Sequence, residues 1–532
     1  MAESLKQAKE RCGDAWQRKT FYERQLREIF EYVMPFRDPA GLYTLTEHSE
    51  GANRTEKIFD GTAPAAALRF AGRMQRELTP IFQDFFAIEA GPLVPDGDQK
   101  KALTESFQAV GKITNGVLAS GSFHMESHEM FLDLFAGTAA MNITAGDEYD
   151  IARFQTVPIT EVALEEGPYG DVWGVDWKRQ HRAGHLKTLW PKGEFSRDLT
   201  KKMADAPRDK LCIHQNTIYD PETRQHVLKV WRDGGTDDEL IWEERFRTNP
   251  WIMPRFFVVP GEAYGRGLAH LGLPSCKTTN KARELALLAA AFAVLGLWAR
   301  RNDGVFNPDT ARFEPLAMWQ VATTGGPLGP TIQRLDVPHN FDISSFVIED
   351  ERQQMKIAMM DDALPPLAGA VRSPTEIVER MQLLNQDIGG VFGRMTLEVV
   401  SPLVQRLIDI MESSGKLNTN IKIDQLLTQI RVIAPIAAAQ QAAKVNQVTN
   451  WLQLVTMLFG PQATMMVAKV EELAPEMGRW LGVEERFIRS KTQISDWQKM
   501  MAQMMAAGQQ QQGAAAQPQP SPAAGLVKGG AL

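Results

Sequence analysis

The feature that most limits the folds open to this chain is an apolar run from Leu285 to Ala299, closed by charged residues at both ends. Its about fifteen apolar residues fall short of the roughly 20 that a transmembrane helix needs. A helix that is apolar on nearly every side must bury most of its faces. The sequence therefore predicts a long helix from about Leu268 to Arg301, buried against its own chain or against copies of it. Membrane insertion is the alternative.

A second helix is predicted from about Ser344 to Asp361, after a stretch over 304–338 whose short strands are broken by glycine and proline. Together the two helices predict a long hairpin with a small module at its tip. Repeated around an axis, such a hairpin could supply the wall of a ring.

The chain before the hairpin predicts helices followed by an antiparallel sheet. Hydrophobic periodicity predicts helices over 5–34, 63–78, 98–120 and 124–138. From Met141 onward, short β-prone runs alternate with turn residues around a polar, helical insert. Later strands are predicted at 212–219, 226–231 and 256–259. The fold class is therefore α+β, predominantly helical.

The chain after the hairpin begins with a break rich in proline and glycine. Ser373-Pro374-Thr375-Glu376 has the features of a helix start, and the helix is predicted to run to about Ser414. A strand over 421–433 and a helical block over 437–505 are predicted next. Residues 509–532, rich in Gln, Ala, Pro and Gly, are expected to be disordered.

Charge and cysteine content narrow the possible partners. The 532 residues carry a net charge of −7, so no diffuse basic surface is expected to hold nucleic acid through its phosphates. Cys12, Cys212 and Cys276 are widely spaced and form no C-x-x-C pair, which argues against a disulfide framework or a zinc cluster. The polar N-terminus lacks the apolar core of an export signal. We expect synthesis in a reducing cytoplasm.

The sequence contains no phosphate-binding G-x-x-x-x-G-K-[ST] loop and no G-x-S-x-G nucleophile motif. His124 and His128 stand four apart, the spacing of a zinc pair, but Glu126 is misplaced for an H-E-x-x-H motif. We therefore predict no enzyme activity, no catalytic residue, no cofactor and no metal. A metal-dependent hydrolase using the two histidines stays as an alternative.

Several short motifs follow one another along the chain: Arg69-Phe70-Ala71-Gly72, Leu78-Thr79-Pro80, Gly137-Thr138-Ala139-Ala140-Met141, Pro374-Thr375-Glu376-Ile377 and Gly389-Gly390-Val391-Phe392-Gly393. In their order and spacing, these motifs resemble the head-to-tail connector or portal family of short-tailed bacteriophages. A longer run, Pro260-Gly261-Glu262-Ala263-Tyr264-Gly265-Arg266-Gly267, resembles the family's entry to its first stem helix.

The resemblance implies a portal fold with a wing, a stem, a clip and a crown, assembled as a cyclic ring. The implied parts are a wing (1–262), a first stem helix (263–301), a clip (302–340), a second stem helix (341–362), a channel loop (363–373), a wing return helix and strand (374–435), a helical crown (436–507) and a disordered tail (508–532).

The same resemblance implies three groups of site residues. The stem entry comprises Tyr264, Gly265, Arg266 and Gly267. The channel loop comprises Leu364, Pro365, Pro366, Leu367, Val371 and Arg372. The clip residues expected to contact the packaging motor or tail are Arg300, Arg301, Phe306 and Arg312.

The implied function is a dodecameric channel at one capsid vertex for genome packaging and ejection. The implied partners are the terminase large subunit, a tail adaptor protein, the major capsid, scaffolding and internal core proteins, and double-stranded DNA that passes without sequence specificity. The implied location is the virion, after synthesis in the host bacterial cytoplasm, with no membrane partner. The alternative is a membrane-associated oligomer or channel that uses the 285–299 helix.

Overall fold

The computed structural model describes most of the chain, and its contacts divide it into two compact units. The described residues are 3–37, 55, 57–81, 83–95, 97–147, 149–234, 239–295, 297–301, 318–321, 332–335, 341–361, 389–417, 428–433, 435–468, 470–480, 483, 487 and 500. The first unit comprises Met1–Phe85 and Ile113–Ile421, and the second comprises Phe86–Lys112 and Lys422–Leu532.

Helices and strands alternate in an order that confirms the predicted α+β class. The helices are α1 (Leu5–Tyr32), α2 (Thr62–Leu78), α3 (Asp98–Ser120), α4 (Phe123–Ala136), α5 (Leu186–Leu189), α6 (Arg197–Asp205), α7 (Leu268–Leu295), α8 (Phe341–Ala358), α9 (Gly389–Met395), α10 (Ser401–Ser413), α11 (Pro435–Val467) and α12 (Val470–Trp480). The strands are β1 (Phe86–Ala90), β2 (Ala140–Ala145), β3 (Ala152–Val157), β4 (Val162–Glu166), β5 (Val172–Arg182), β6 (Lys210–Asp220), β7 (Gln225–Arg232), β8 (Leu240–Phe246), β9 (Trp251–Ile252), β10 (Leu297–Arg301), β11 (Met318–Val321), β12 (Ile332–Leu335) and β13 (Thr428–Val432).

The predicted antiparallel sheet is confirmed, with five strands in the order β4-β5-β6-β7-β8, of which β8 was not predicted. The polar insert between β5 and β6 is helical, as predicted, and forms α5 and α6. These helices share one apolar core with the sheet. Its buried residues are Leu186, Trp190, Leu199, Ile213, Val230 and Ile241.

One predicted strand is wrong: 256–259 does not join the sheet, whose last strand is β8. The N–H of Phe256 donates to the carbonyl oxygen of Gly137 at 2.9 Å, and Phe257 forms an isolated antiparallel bridge with Arg266. The backbone groups that a strand would offer to a sheet are thus used by two loops.

The predicted hairpin is confirmed as α7 and α8, which run antiparallel. Gly272, near the start of α7, lies against Met359, which follows the end of α8. Further along α7, Arg283 forms an ion pair with Asp60, and Arg352 in the middle of α8 pairs with the same carboxylate. Within the described part of the chain, we find no helix with both the length and the apolar character needed to cross a membrane.

The predicted end of the first long helix at Arg301 is wrong. Helix α7 ends at Leu295, and β10 follows it, paired in parallel with β11 and antiparallel with β12. Gly296 separates the helix from the strand in the sequence, and glycine is a poor helix former. Strand pairing then takes the backbone groups of Arg300 and Arg301, which therefore lie in a sheet and not at a helix end.

The predicted helix over 373–414 is described from Gly389 onward. There it consists of α9, a π-helical turn (Thr396–Val400) and α10, which we call the return helix. In the second unit, β1 pairs antiparallel with β13, and Arg431 of β13 forms an ion pair with Glu89 of β1 at 2.8 Å. Helix α11 is kinked at Gly460, whose φ of 80° is left-handed.

The three thiols should react slowly in the folded protein. Burial raises the pKa of Cys212 to about 11 and that of Cys276 to about 12, and it raises the pKa of Cys12 further. Because the thiolate is the reactive form, little reagent should be consumed at pH 8. Labelling with a chromogenic disulfide reagent should therefore be slow in buffer and should reach three thiols per chain in denaturant. Rapid labelling of Cys12 or Cys276 in the native protein would contradict their buried placement.

Candidate functional site

Residues Tyr264 to Gly267, here called the entry segment, stand directly before α7 and pack against the chain that follows α4. A Cβ atom added to Gly267 would lie 2.1 Å from the carbonyl oxygen of Phe135, and one added to Gly137 would lie 2.4 Å from the carbonyl oxygen of Gly265. Gly137 itself has a φ of +132°, which L side chains rarely adopt. Two of the motifs that carry the family resemblance therefore meet in space through their glycines.

Hydrogen bonds from three other segments hold the entry segment. The N–H of Gly265 donates to Thr138 Oγ1 at 2.7 Å, and the Tyr22 hydroxyl of α1 donates to the carbonyl oxygen of Gly265 at 3.2 Å. Arg266 and Phe257 exchange both of their backbone hydrogen bonds, at 2.7 and 2.9 Å. The direction in which α7 leaves this junction is thus fixed by several parts of the first unit.

An aromatic stack supports the same junction. The rings of Tyr22 and Tyr264 lie with centroids 4.5 Å apart and planes 16° apart, and the Tyr264 hydroxyl accepts the N–H of Leu164 at 3.0 Å. Burial raises the pKa of both phenols well above the usual range, so both stay neutral and serve as packing and hydrogen-bonding groups.

A buried carboxylate joins the two long helices to the start of α2. Asp60 Oδ2 accepts Arg283 Nη1 of α7 at 3.1 Å and Arg352 Nε and Nη2 of α8 at 2.8 and 2.5 Å, and we call these three residues the Asp60 clamp. Asn280 Oδ1 accepts the backbone N–H of Asp60 at 2.9 Å. Although burial would raise it, hydrogen bonds from Thr62 and Arg352 hold the pKa of Asp60 below its usual value.

A second link joins α2 to the end of α8. Arg69 Nε donates to Asp361 Oδ1 at 2.7 Å, its Nη2 contacts the other carboxylate oxygen, and Arg73 Nη1 donates to the carbonyl oxygen of Met360 at 2.9 Å. Arg69 belongs to one of the resemblance motifs, and this contact gives it a structural role. Sequence reasoning missed Asp60 and Asp361, because nothing in local spacing indicates which distant arginines they meet.

The metal-site alternative rested on His124 and His128 of α4. His124 is partly buried, which lowers its pKa, and its carbonyl oxygen accepts Gln75 Nε2 at 2.6 Å. Among the described residues, no group of three or more His, Cys, Asp or Glu side chains could hold a metal ion.

Acid should weaken the junction through His270. Its Nδ1 accepts the N–H of Gly267 at 3.2 Å, and burial together with the nearby Arg266 lowers its pKa to about 4. An unfolded histidine titrates near about 6.5. Between these two values the unfolded chain binds a proton that the folded chain does not, so stability falls as the pH falls from about 6.5 to 4.

The test compares unfolding free energies at pH 7 and pH 4.5. His270→Asn keeps an acceptor oxygen but does not titrate, so it should lose less stability across this interval than the unchanged protein. His181 and His226, whose pKa values burial also lowers to about 4, leave a residual slope. The exposed Leu271 supplies the control variant Leu271→Asn, which removes no titrating group and should leave the slope unchanged. An unchanged slope in His270→Asn would refute the assignment.

Of the predicted clip and channel-loop residues, the structure describes only two. Arg300 and Arg301 lie in β10. Phe306, Arg312 and the six channel-loop residues lie outside the described part of the chain. The structure thus brings the entry segment together with Gly137 and Thr138, and it leaves the other two groups as predictions.

Comparison with known proteins gives low structural likenesses and one family match. Two solved structures are similar to this chain at 11% identity: the virion of a native gene transfer agent particle, with a TM-score of 0.34 over 82% of this chain and 94% of that one, and the neck of a native gene transfer agent particle, with a TM-score of 0.32 over 76% and 90%. Likenesses this low carry no argument about function. No curated protein matches the chain. The family model of the bacteriophage head to tail connecting protein matches residues 5–488, so the chain belongs to that family.

Proposed function

We propose that the chain is the portal subunit of a short-tailed bacteriophage and that twelve copies form a ring through which the genome is packaged and ejected. In this proposal α7 and α8 form the stem, and the other segments form the wing, clip and crown with the boundaries predicted above, except that the first stem helix ends at Leu295 and β10 belongs to the clip. The ring would sit at one capsid vertex of the virion.

The observation that carries the proposal is an exposed apolar face on α7. At about 100° per residue, Leu285 and Leu288 lie on the far side of the helix from Arg283, which faces α8 through the Asp60 clamp. In the single chain Leu285 is 53% exposed and Leu288 is 46% exposed. Contiguous apolar surface of this kind marks an interaction site. A neighbouring copy of the hairpin is the occupant that a closed ring supplies.

The proposed partners follow from the family and the charge. An acidic subunit, with a net charge of −7, suits a conduit that must not hold DNA tightly, because each neutralised phosphate is a contact to release. Arg300, Arg301, Phe306 and Arg312 are proposed to contact the terminase large subunit and then the tail adaptor. The channel loop, Leu364 to Arg372, is proposed to face the DNA. Capsid, scaffolding and internal core proteins would surround the ring.

The test is the mass and symmetry of the purified full-length protein, measured by native mass spectrometry and negative-stain class averages. A ring of about twelve subunits with a central hole is expected. A stable monomer or dimer under assembly conditions would overturn the proposal.

Charge placed on the α7 face should prevent the ring from closing. The double variant Leu285→Glu, Leu288→Glu should shift the mass spectrum from rings to monomers, because each contact would have to bury two added carboxylates without a partner. Met125→Glu is the matched control, since Met125 is also exposed but lies on α4. Rings formed by the double variant would show that this face is not the contact.

A further inference from the structure

Between α9 and α10, the return helix contains one turn whose hydrogen bonding differs from that of an α-helix. The N–H of Ser401 donates to the carbonyl oxygen of Thr396, five residues back, so the Thr396–Val400 turn is π-helical. Such turns are rare and occur mostly at functional sites, because they insert one residue into the helical ladder.

The turn presents Glu398 to Arg255. Glu398 Oε2 accepts the backbone N–H of Arg255 at 2.8 Å, and Oε1 accepts its Nη2 at 2.9 Å. Four residues earlier, Arg394 Nη1 donates to the carbonyl oxygen of Phe256 at 3.2 Å. Two side chains of the return helix therefore hold two consecutive residues of another segment.

That segment packs directly on the entry segment. A Cβ atom on Gly265 would lie 2.8 Å from Arg255 Cβ, and Phe256 N–H donates to the carbonyl oxygen of Gly137. Arg255 is buried and its Nη1 donates to the carbonyl oxygen of Gly170 at 3.0 Å. A chain of direct contacts thus runs from the π-helical turn through Arg255 to the base of α7.

We propose that Glu398 and Arg255 form a mechanical link that sets the angle at which α7 leaves the junction, with the π-helical turn as its adjustable element. A slip of one residue in the helical ladder rotates a side chain by about 100° and moves it about 1.5 Å along the axis. Glu398 cannot keep both contacts with Arg255 through such a slip. The inference rests on the proposed function in one respect: only in a ring would a change in the angle of α7 change the width of the channel.

Hydrogen exchange of the full-length protein tests the link. Glu398→Gln removes the charge but keeps the shape, and it should speed exchange by about tenfold in two separate stretches, 255–267 and 396–401. Glu412→Gln is the matched control. Glu412 also lies on the return helix, but it pairs with Arg247 at 2.5 Å, so this variant should speed exchange only around residues 247 and 412. Faster exchange confined to 396–401 in Glu398→Gln would overturn the proposal.

A second variant guards against misfolding of the first. Arg255→Lys keeps the positive charge but loses the planar group that reaches Glu398 and Gly170 together. Because Arg255→Lys also loses the Gly170 contact, a single link predicts that Glu398→Gln combined with Arg255→Lys exchanges no faster than Arg255→Lys alone. Additive effects would contradict a shared link. Native mass spectrometry of the same samples separates the two claims, because an absent ring rejects the proposed function without altering the exchange result.

Discussion

Asp60→Ala is expected to lower the free energy of unfolding of the first unit by about 3 kcal/mol, because removing one partner of a buried ion pair leaves the others unpaired. The clamp carboxylate is only 2% exposed, and it faces Arg283 and Arg352 from two different helices. We expect a loss at the lower end of the range for breaking a buried ion pair, because both arginine side chains are partly exposed to water. Denaturant unfolding followed by tryptophan fluorescence measures it.

The control for the clamp is Asp350→Asn. Asp350 is an exposed carboxylate on α8 that accepts Gln354 Nε2 at 2.9 Å, so its loss should change stability by no more than about 0.5 kcal/mol. Asp60→Asn should fall between the two, because an amide oxygen can still accept one arginine. Equal stability of Asp60→Ala and the unchanged protein would mean that the hairpin is held mainly by apolar packing.

Gly267→Ala is expected to cost about 3 kcal/mol or more, or to prevent folding, because all three nearest atoms are backbone and cannot rotate away. Those atoms are the carbonyl oxygen of Phe135 at 2.1 Å, the nitrogen of Gly137 at 2.5 Å and the carbonyl carbon of Ala136 at 2.7 Å. The measurement is the yield of soluble protein followed by its unfolding midpoint.

Gly72→Ala supplies the control for this position. Gly72 lies within α2 with nothing near its absent Cβ, and alanine is the better helix former, so the variant should be about 0.5 to 1 kcal/mol more stable. Both glycines belong to motifs that resemble the connector family, yet they should respond in opposite directions. A Gly267→Ala protein as stable as the unchanged one would show that α7 can leave the junction along another path.

Local sequence patterns predicted most of the helices and four of the five strands of the large sheet, but not β8. The predicted 5–34, 63–78 and 98–120 helices correspond to α1, α2 and α3, because apolar periodicity and capping residues act within a few turns of the chain. At the start of α1, Ser4 and Gln7 form the reciprocal capping hydrogen bonds. The same patterns failed at the 256–259 strand, where two loops take the backbone groups, and at the end of α7, where strand pairing competes with the helix.

The sequence by itself determined that this chain would build a helical hairpin whose first helix is apolar on nearly every side, that it would carry no recognisable catalytic motif, and that its motifs resembled a connector. Only the tertiary structure decided how the hairpin is anchored. Asp60 meets Arg283 and Arg352 across more than two hundred residues, and Gly267 touches Phe135 across more than one hundred. Helix periodicity is a property of neighbouring residues, whereas the partner of a buried charge or the neighbour of a glycine depends on how distant segments are folded together.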